Sequence, residues 1–143
     1  MKKLLSLTFA LSLFACDGGD DNDNSNSSSI EGRWNLTYMS FQGVEQDLNS
    51  CDLETYIELN NSGTGIYYLY YTDWPDNPEI EPCGLDEMYD ITFANTSSNT
   101  YSMDVDYEES VSSGTATINN NVLTFSGLTF EDLPFTEVFT KQQ

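Results

Sequence analysis

The sequence predicts an all-β domain, an antiparallel meander of about eight short strands. Three observations lead there. From Gly32 onward, apolar residues recur with a period of two rather than 3.6. Clusters of Asn, Ser and Gly separate the alternating runs at short intervals. Beyond the N-terminal apolar run, no stretch has helical periodicity.

The elements follow in order. Trp34, Leu36 and Tyr38 alternate with Arg33, Asn35 and Thr37. Tyr56 to Leu59 is a short strand, "NNSG" at 60–63 is a turn, and Ile66 to Tyr71 returns, so the two form a hairpin. Tyr89, Ile91 and Phe93 alternate with Asp90 and Thr92 and run into the turn "NTSSN" at 95–99. Tyr101, Met103, Val105 and Tyr107 then alternate with Ser102, Asp104, Asp106 and Glu108. Ala116 and Ile118 lead into "NNN" at 119–121, Leu123 and Phe125 lead out, and a last strand covers about 136–141. Such a meander loses its edges by closing into a barrel; the alternative is a β-sandwich, which uses the same alternation. Two longer connections interrupt the pattern. One is 42–52. The other, "TDWPDNPEIEPCGLD" at 72–86, holds three of the four prolines. Long ordered loops often carry function.

The N-terminus reads as an address. Lys2 and Lys3 precede an apolar stretch, Leu4 to Phe14, that is too short to span a bilayer as a helix. It has the length and flanks of a secretory signal peptide. Leu13-Phe14-Ala15-Cys16 resembles a bacterial lipobox. That resemblance implies cleavage before Cys16 and a lipid on its thiol, giving stable attachment to a membrane. The next residues, "DGGDDNDNSNSSS" at 17–29, contain nothing apolar and cannot offset the entropy of ordering. They form a flexible tether. Their acidic start resembles the signal that sends lipoproteins of the Bacteroidetes group to the outer surface of the outer membrane. The expected organisation is a signal peptide at 1–15, a lipidated acidic tether at 16–29 and a folded domain at 30–143. The Asp/Asn cluster lacks the ligand spacing of a calcium-binding loop.

Charge narrows the partners. Loss of residues 1–15 leaves Arg33 and Lys141 against 24 acidic residues. Such a surface repels nucleic acid and anionic lipid headgroups, so no nucleic-acid partner is expected. With Cys16 assigned to lipid, Cys51 and Cys83 remain as a pair in an exported chain, where disulfides persist. A Cys51–Cys83 bridge is expected, pinning the two long connections together at one end of the domain. Two cysteines without any histidine make a poor zinc site, and no metal or cofactor is expected.

Gly32-x-Trp34 followed by Leu36 resembles the opening of lipocalins. The wider layout is similar to the lipocalin-like domains of small Bacteroidetes lipoproteins: Cys51 before "TYIELNNSGTG", then Cys83, then "NNNVLTF" at 119–125. The resemblance implies a lipocalin-like barrel with Trp34 plugging its closed end. The chain is shorter than a typical lipocalin, which leaves less room for an internal pocket.

Little catalytic chemistry is offered. Without histidine there is no Ser-His-Asp or Cys-His arrangement, and no nucleophile elbow or phosphate-binding glycine loop appears. Asp104, Asp106 and Glu108 share one strand face, opposite apolar neighbours, and are expected to face water. A non-enzymatic protein is the expectation. In Ile66 to Tyr71 both faces are apolar or aromatic: Ile66, Tyr68 and Tyr70 on one, Tyr67, Leu69 and Tyr71 on the other. A strand with one wet face alternates more cleanly. Tyr67 and Tyr71 are expected outward, under the 72–86 loop or as a platform with Trp74. Tyr38, Tyr68, Tyr101 and Tyr107 are expected inward. Tyr67, Tyr68, Tyr70, Tyr71 and Trp74 are thus the candidate ligand or partner surface. The expected function is binding of a small apolar or amphipathic ligand, or a glycan, by an outer-membrane lipoprotein displayed at the cell surface. The alternative is an interaction module with a filled core that docks an envelope protein.

Overall fold

The computed structural model describes residues 29–71, 83–108 and 110–143. Cys16, the signal peptide, the tether up to residue 28, Trp74 and most of the proline-bearing loop lie outside these residues. Among the described residues, no helix is long and apolar enough to cross a membrane.

Alternation builds a closed antiparallel barrel. The strands are β1 (Gly32–Phe41), β2 (Val44–Glu45), β3 (Tyr56–Leu59), β4 (Thr64–Tyr71), β5 (Gly84–Ser97), β6 (Thr100–Asp106), β7 (Val111–Asn119), β8 (Val122–Leu128) and β9 (Pro134–Lys141). From β3 to β9 each strand pairs with its sequence neighbour, and β3 and β9 both pair with β1. Eight strands therefore close on themselves, while β2 folds back as a two-residue extension on the end of β1. Closure decides between barrel and sandwich: no long edge is left to template another chain.

The turns follow from their residues. Asn60 Oδ1 accepts the Ser62 amide at 2.9 Å, and Gly63 takes a positive φ of 85°, tightening the β3–β4 hairpin. Asn99 and Asn120 adopt the left-handed conformation at the β5–β6 and β7–β8 hairpins, a region asparagine tolerates better than most residues.

Inward residues fill the interior. Trp34, fully buried, sits at the pole where β1 begins, and its indole N–H donates to the Ile30 carbonyl at 2.8 Å. Lys141 covers the same pole. Its Nζ lies 5.0 Å from the indole ring and donates to the Ser29 carbonyl at 2.6 Å. Leu36, Ile57, Ile91, Met103, Leu123, Phe125 and Phe139 pack above Trp34, all essentially excluded from water. This half of the barrel is a packed core with Trp34 as its plug.

Two parity expectations are corrected. β1 carries a bulge between Leu36 and Tyr38, so Leu36 opposes Phe139 inside but Tyr38 opposes Val138 outside. Met39 takes the next inward place, opposite Glu137. A bulge inserts one residue and flips every side chain after it. In β4 the phase is the reverse of the expectation. Tyr67 opposes Ile57 and is 3 % exposed, whereas Tyr68 opposes Tyr56 on the outer wall. Tyr101 and Tyr107 follow Met103 and Val105 inward, as expected.

Closure also needs glycine. Gly114 and Gly127 face each other across β7 and β8. A Cβ on Gly127 would lie 2.6 Å from the Gly114 Cα, closer than any real side chain approaches. The pair lets the strands bend where a side chain on either would force them apart.

Cys51 and Cys83 are bonded, with Cα atoms 5.2 Å apart. Asn49 Oδ1 accepts the Cys51 amide at 2.7 Å and the Asp52 amide at 3.1 Å, shaping the short 3₁₀ turn Asp52–Glu54. The buried Thr55 hydroxyl then accepts the Tyr70 amide at 3.1 Å, tying this turn to the end of β4. The bridge thus closes the pole opposite Trp34. Replacing both cysteines by serine is expected to cost about 3–4 kcal/mol on the chain-entropy model, read as a lower urea midpoint with a steeper slope as the unfolded chain expands. Gly127→Val is expected to cost more than about 2 kcal/mol in the same assay.

Candidate functional site

Two places carry polar chemistry in an unusual setting: one on the outer wall, one inside.

The outer wall site begins with Tyr56, Tyr68 and Tyr70, all half-buried. Cross-strand pairing sets Tyr56 against Tyr68, and their rings stack with centroids 4.4 Å apart. Tyr70 extends the array, 6.2 Å from Tyr56. The Arg33 guanidinium lies over the Tyr56 ring, its Cζ 3.5 Å from the centroid, and its Nε–H donates to Asn35 Oδ1 at 3.1 Å. Beyond Arg33 the wall sinks into an open depression of about 700 Å³ lined by Glu58, Asn60, Thr64, Ile66, Asp90 and Thr92. A smaller one, about 320 Å³, shares Ile66 and Asp90 and adds Met88, Asp106 and Glu108. The wall therefore offers stacked ring faces flanked by a cation, amides, hydroxyls and carboxylates.

The interior site lies in the half of the barrel nearer the disulfide. Glu137, 6 % exposed, points inward from β9 between Phe135 and Phe139. The Tyr67 hydroxyl donates to its Oε1 at 3.0 Å, while Oε2 is buried with no hydrogen-bond partner among the described residues. Burial pushes the carboxyl up to about 7, and the Tyr67 hydrogen bond pulls it partly back. Burial, with Glu137 beside them, also holds the Tyr67 and Tyr107 phenols above their usual range. Tyr89 bridges these two rings, with centroids 6.5 Å from Tyr67 and 4.4 Å from Tyr107.

The sequence-predicted surface is thus divided. Tyr68 and Tyr70 stand on the outer wall, but Tyr67 belongs to the core, because its register with Ile57 turns it inward and Glu137 satisfies its hydroxyl. Tyr71 is exposed near the disulfide pole, and Trp74 lies outside the described residues. Asp104, Asp106 and Glu108 face water as expected. Among the described residues, no three carboxylate or cysteine side chains converge as a metal site requires. Sequence reasoning missed Tyr56, Arg33 and Glu137. The signal for Glu137 was present: Phe135, Glu137 and Phe139 alternate, placing an acid on the apolar face.

No protein-family model matches the chain, and no curated protein sequence does. Among solved structures, a redesigned β barrel is similar, with a TM-score of 0.51 and 14% identity over 83% of this chain and 94% of that one. At that identity the likeness shows the fold alone: the protein is an antiparallel β-barrel.

Glu137 makes stability depend on pH with a definite sign. Its carboxyl titrates near 4.5 when unfolded and near 7 when folded, so between these values the folded state holds the extra proton. Glu137 therefore favours folding most below about pH 4.5, and this contribution falls as pH rises through about 7, by roughly 3 kcal/mol in all. Other carboxylates titrate too, so the readout is a difference. Glu137→Gln is expected to be more stable than the wild type at pH 8 and to lose that advantage by pH 4.5. Parallel unfolding curves at both values would contradict a buried, ionisable Glu137.

Proposed function

We propose that this protein is a non-enzymatic binding module, held at the outer membrane by a lipid on Cys16, that takes a glycan on its outer wall. The carrying observation is the Tyr56–Tyr68–Tyr70 array beside Arg33 and the adjoining depression. Sugar rings have apolar C–H faces and hydroxyl edges. The half-buried Tyr68 and Tyr70 rings suit the former, and Arg33, Asn60, Glu58 and Asp90 lining the adjoining depression suit the latter. The packed core disfavours the other form of the reading, a whole amphiphile enclosed in the barrel.

One observation favours a second reading. Tyr71, Leu85 and Met88 are exposed apolar side chains, 48, 45 and 60 % accessible, with Leu85 and Met88 directly opposite Tyr70 and Tyr68 on β5. They suit docking of an envelope protein, the kind of partner an apolar patch serves.

Affinity electrophoresis of the mature, unlipidated chain in soluble polysaccharides tests the first reading. Tyr68→Ala and Tyr56→Ala are expected to weaken retardation roughly tenfold, the scale of one lost stacking contact. Retardation unaffected by either variant, alongside cross-linking to an envelope protein that Met88→Asp abolishes, would favour the second. Anchoring is tested apart: Cys16→Ser is expected to move the protein from the detergent phase to the aqueous phase.

A further inference from the structure

The outer wall leaves Glu137 unexplained. A carboxylate oxygen buried without a partner is costly, and native structures pair nearly all such atoms with protein groups, ordered water or a bound ion. Oε2 is such an oxygen, because Tyr67 serves only Oε1. The surroundings say what kind of group fits. The aromatic rings of Tyr67, Tyr89 and Tyr107 line this part of the interior, and ring faces attract cations. Met39, Leu69 and Phe135 are only half-buried there, an apolar surround for a short hydrocarbon body. The residues directly opposite Glu137 on the neighbouring strands are Met39 and Phe125, neither charged. Among the described residues, the ionisable groups facing it are the Tyr67 and Tyr107 phenols, and no cation is among them. A water brings no charge to a buried carboxylate, whereas an ammonium brings both hydrogen-bond donors and the opposite charge. The formal net charge of −20 draws cations toward the molecule.

We propose that the disulfide-side half of the barrel interior binds a small organic ammonium, its nitrogen on Glu137 Oε2 and its short apolar body among Met39, Leu69 and Phe135. The core below is packed, so the site takes a head group and a few carbons rather than a fatty chain. Binding an ammonium favours the ionised carboxylate and so displaces its proton; affinity rises with pH up to about 7 and levels off above it.

The test uses n-butylammonium and n-butanol as probes of the mature chain, followed by ligand-observed NMR and by the unfolding midpoint. Butylammonium is expected to bind at pH 8, at least tenfold more tightly than butanol and more weakly at pH 5.5. Glu137→Gln should reduce its binding at least tenfold. Tyr67→Phe, which keeps the charge, should retain ammonium binding with a shifted pH profile. The variants leave the outer acidic residues in place, so loss in Glu137→Gln excludes nonspecific surface attraction. Equal binding of the two probes, equal binding by wild type and Glu137→Gln, or no binding of butylammonium would overturn the proposal and leave water as the occupant of Oε2.

Discussion

Everything in the structure depends on the pairing of the last strand with the first. Seven residue pairs join β9 to β1, from Trp34–Lys141 at one pole to Phe41–Phe135 at the other. Without it the meander would be an open sheet with two exposed edges and a core facing water on one side. With it, Phe139 and Leu36 meet inside, Trp34 is sealed under Lys141, and Glu137 is carried into a space it would not otherwise enter. The pairing is the most non-local one in the chain. Every interior contact between the N-terminal and C-terminal thirds is conditional on it.

Much of this architecture is legible in the sequence, and the failures have identifiable causes. Period-two alternation reveals the strands because a sheet wall has one dry and one wet face. It does not reveal a bulge, which leaves no mark in an apolar/polar pattern: Trp34, Leu36 and Tyr38 read as one face, and Tyr38 lies on the other. Nor does it set the phase of β4, where both faces are apolar. On that strand the sequence predicts Tyr68 inward and Tyr67 outward. The neighbours decide otherwise, since β3 pairs Ile57 with Tyr67 and Tyr56 with Tyr68. The outer tyrosine array needs that register and an arginine from the neighbouring strand β1, so no local window contains it. The reciprocal glycines Gly114 and Gly127 are likewise invisible as a pair until β7 and β8 are placed side by side.

The two basic side chains of the described domain are spent on aromatic rings rather than on the many acids. Arg33 lies on Tyr56 and Lys141 over Trp34. In a polyanion this has a structural logic. A surface ion pair gains little in water, whereas a cation on a ring also covers apolar surface with its stem. One cation thereby organises the outer wall and the other seals the pole. Most acids among the described residues stay exposed, and burial pushes the Glu137 carboxyl up to about 7.

The chain enters and leaves the barrel at the same pole: Ile30 leads into β1 beneath Trp34, and Lys141 ends β9 beside it, holding the Ser29 carbonyl. Mechanics follow from this. A pull on the N-terminal side runs along the axis of β1, which is flanked by β3 and β9. Load in that direction is shared by the whole ladder at once, as shear, instead of opening the bonds one after another as a zipper does. Tension applied through the C-terminus acts on β9 in the same way. The strand that closes the barrel is therefore also the one best placed to bear force, and a domain hung from this pole resists drag at its far end without unravelling from its point of suspension.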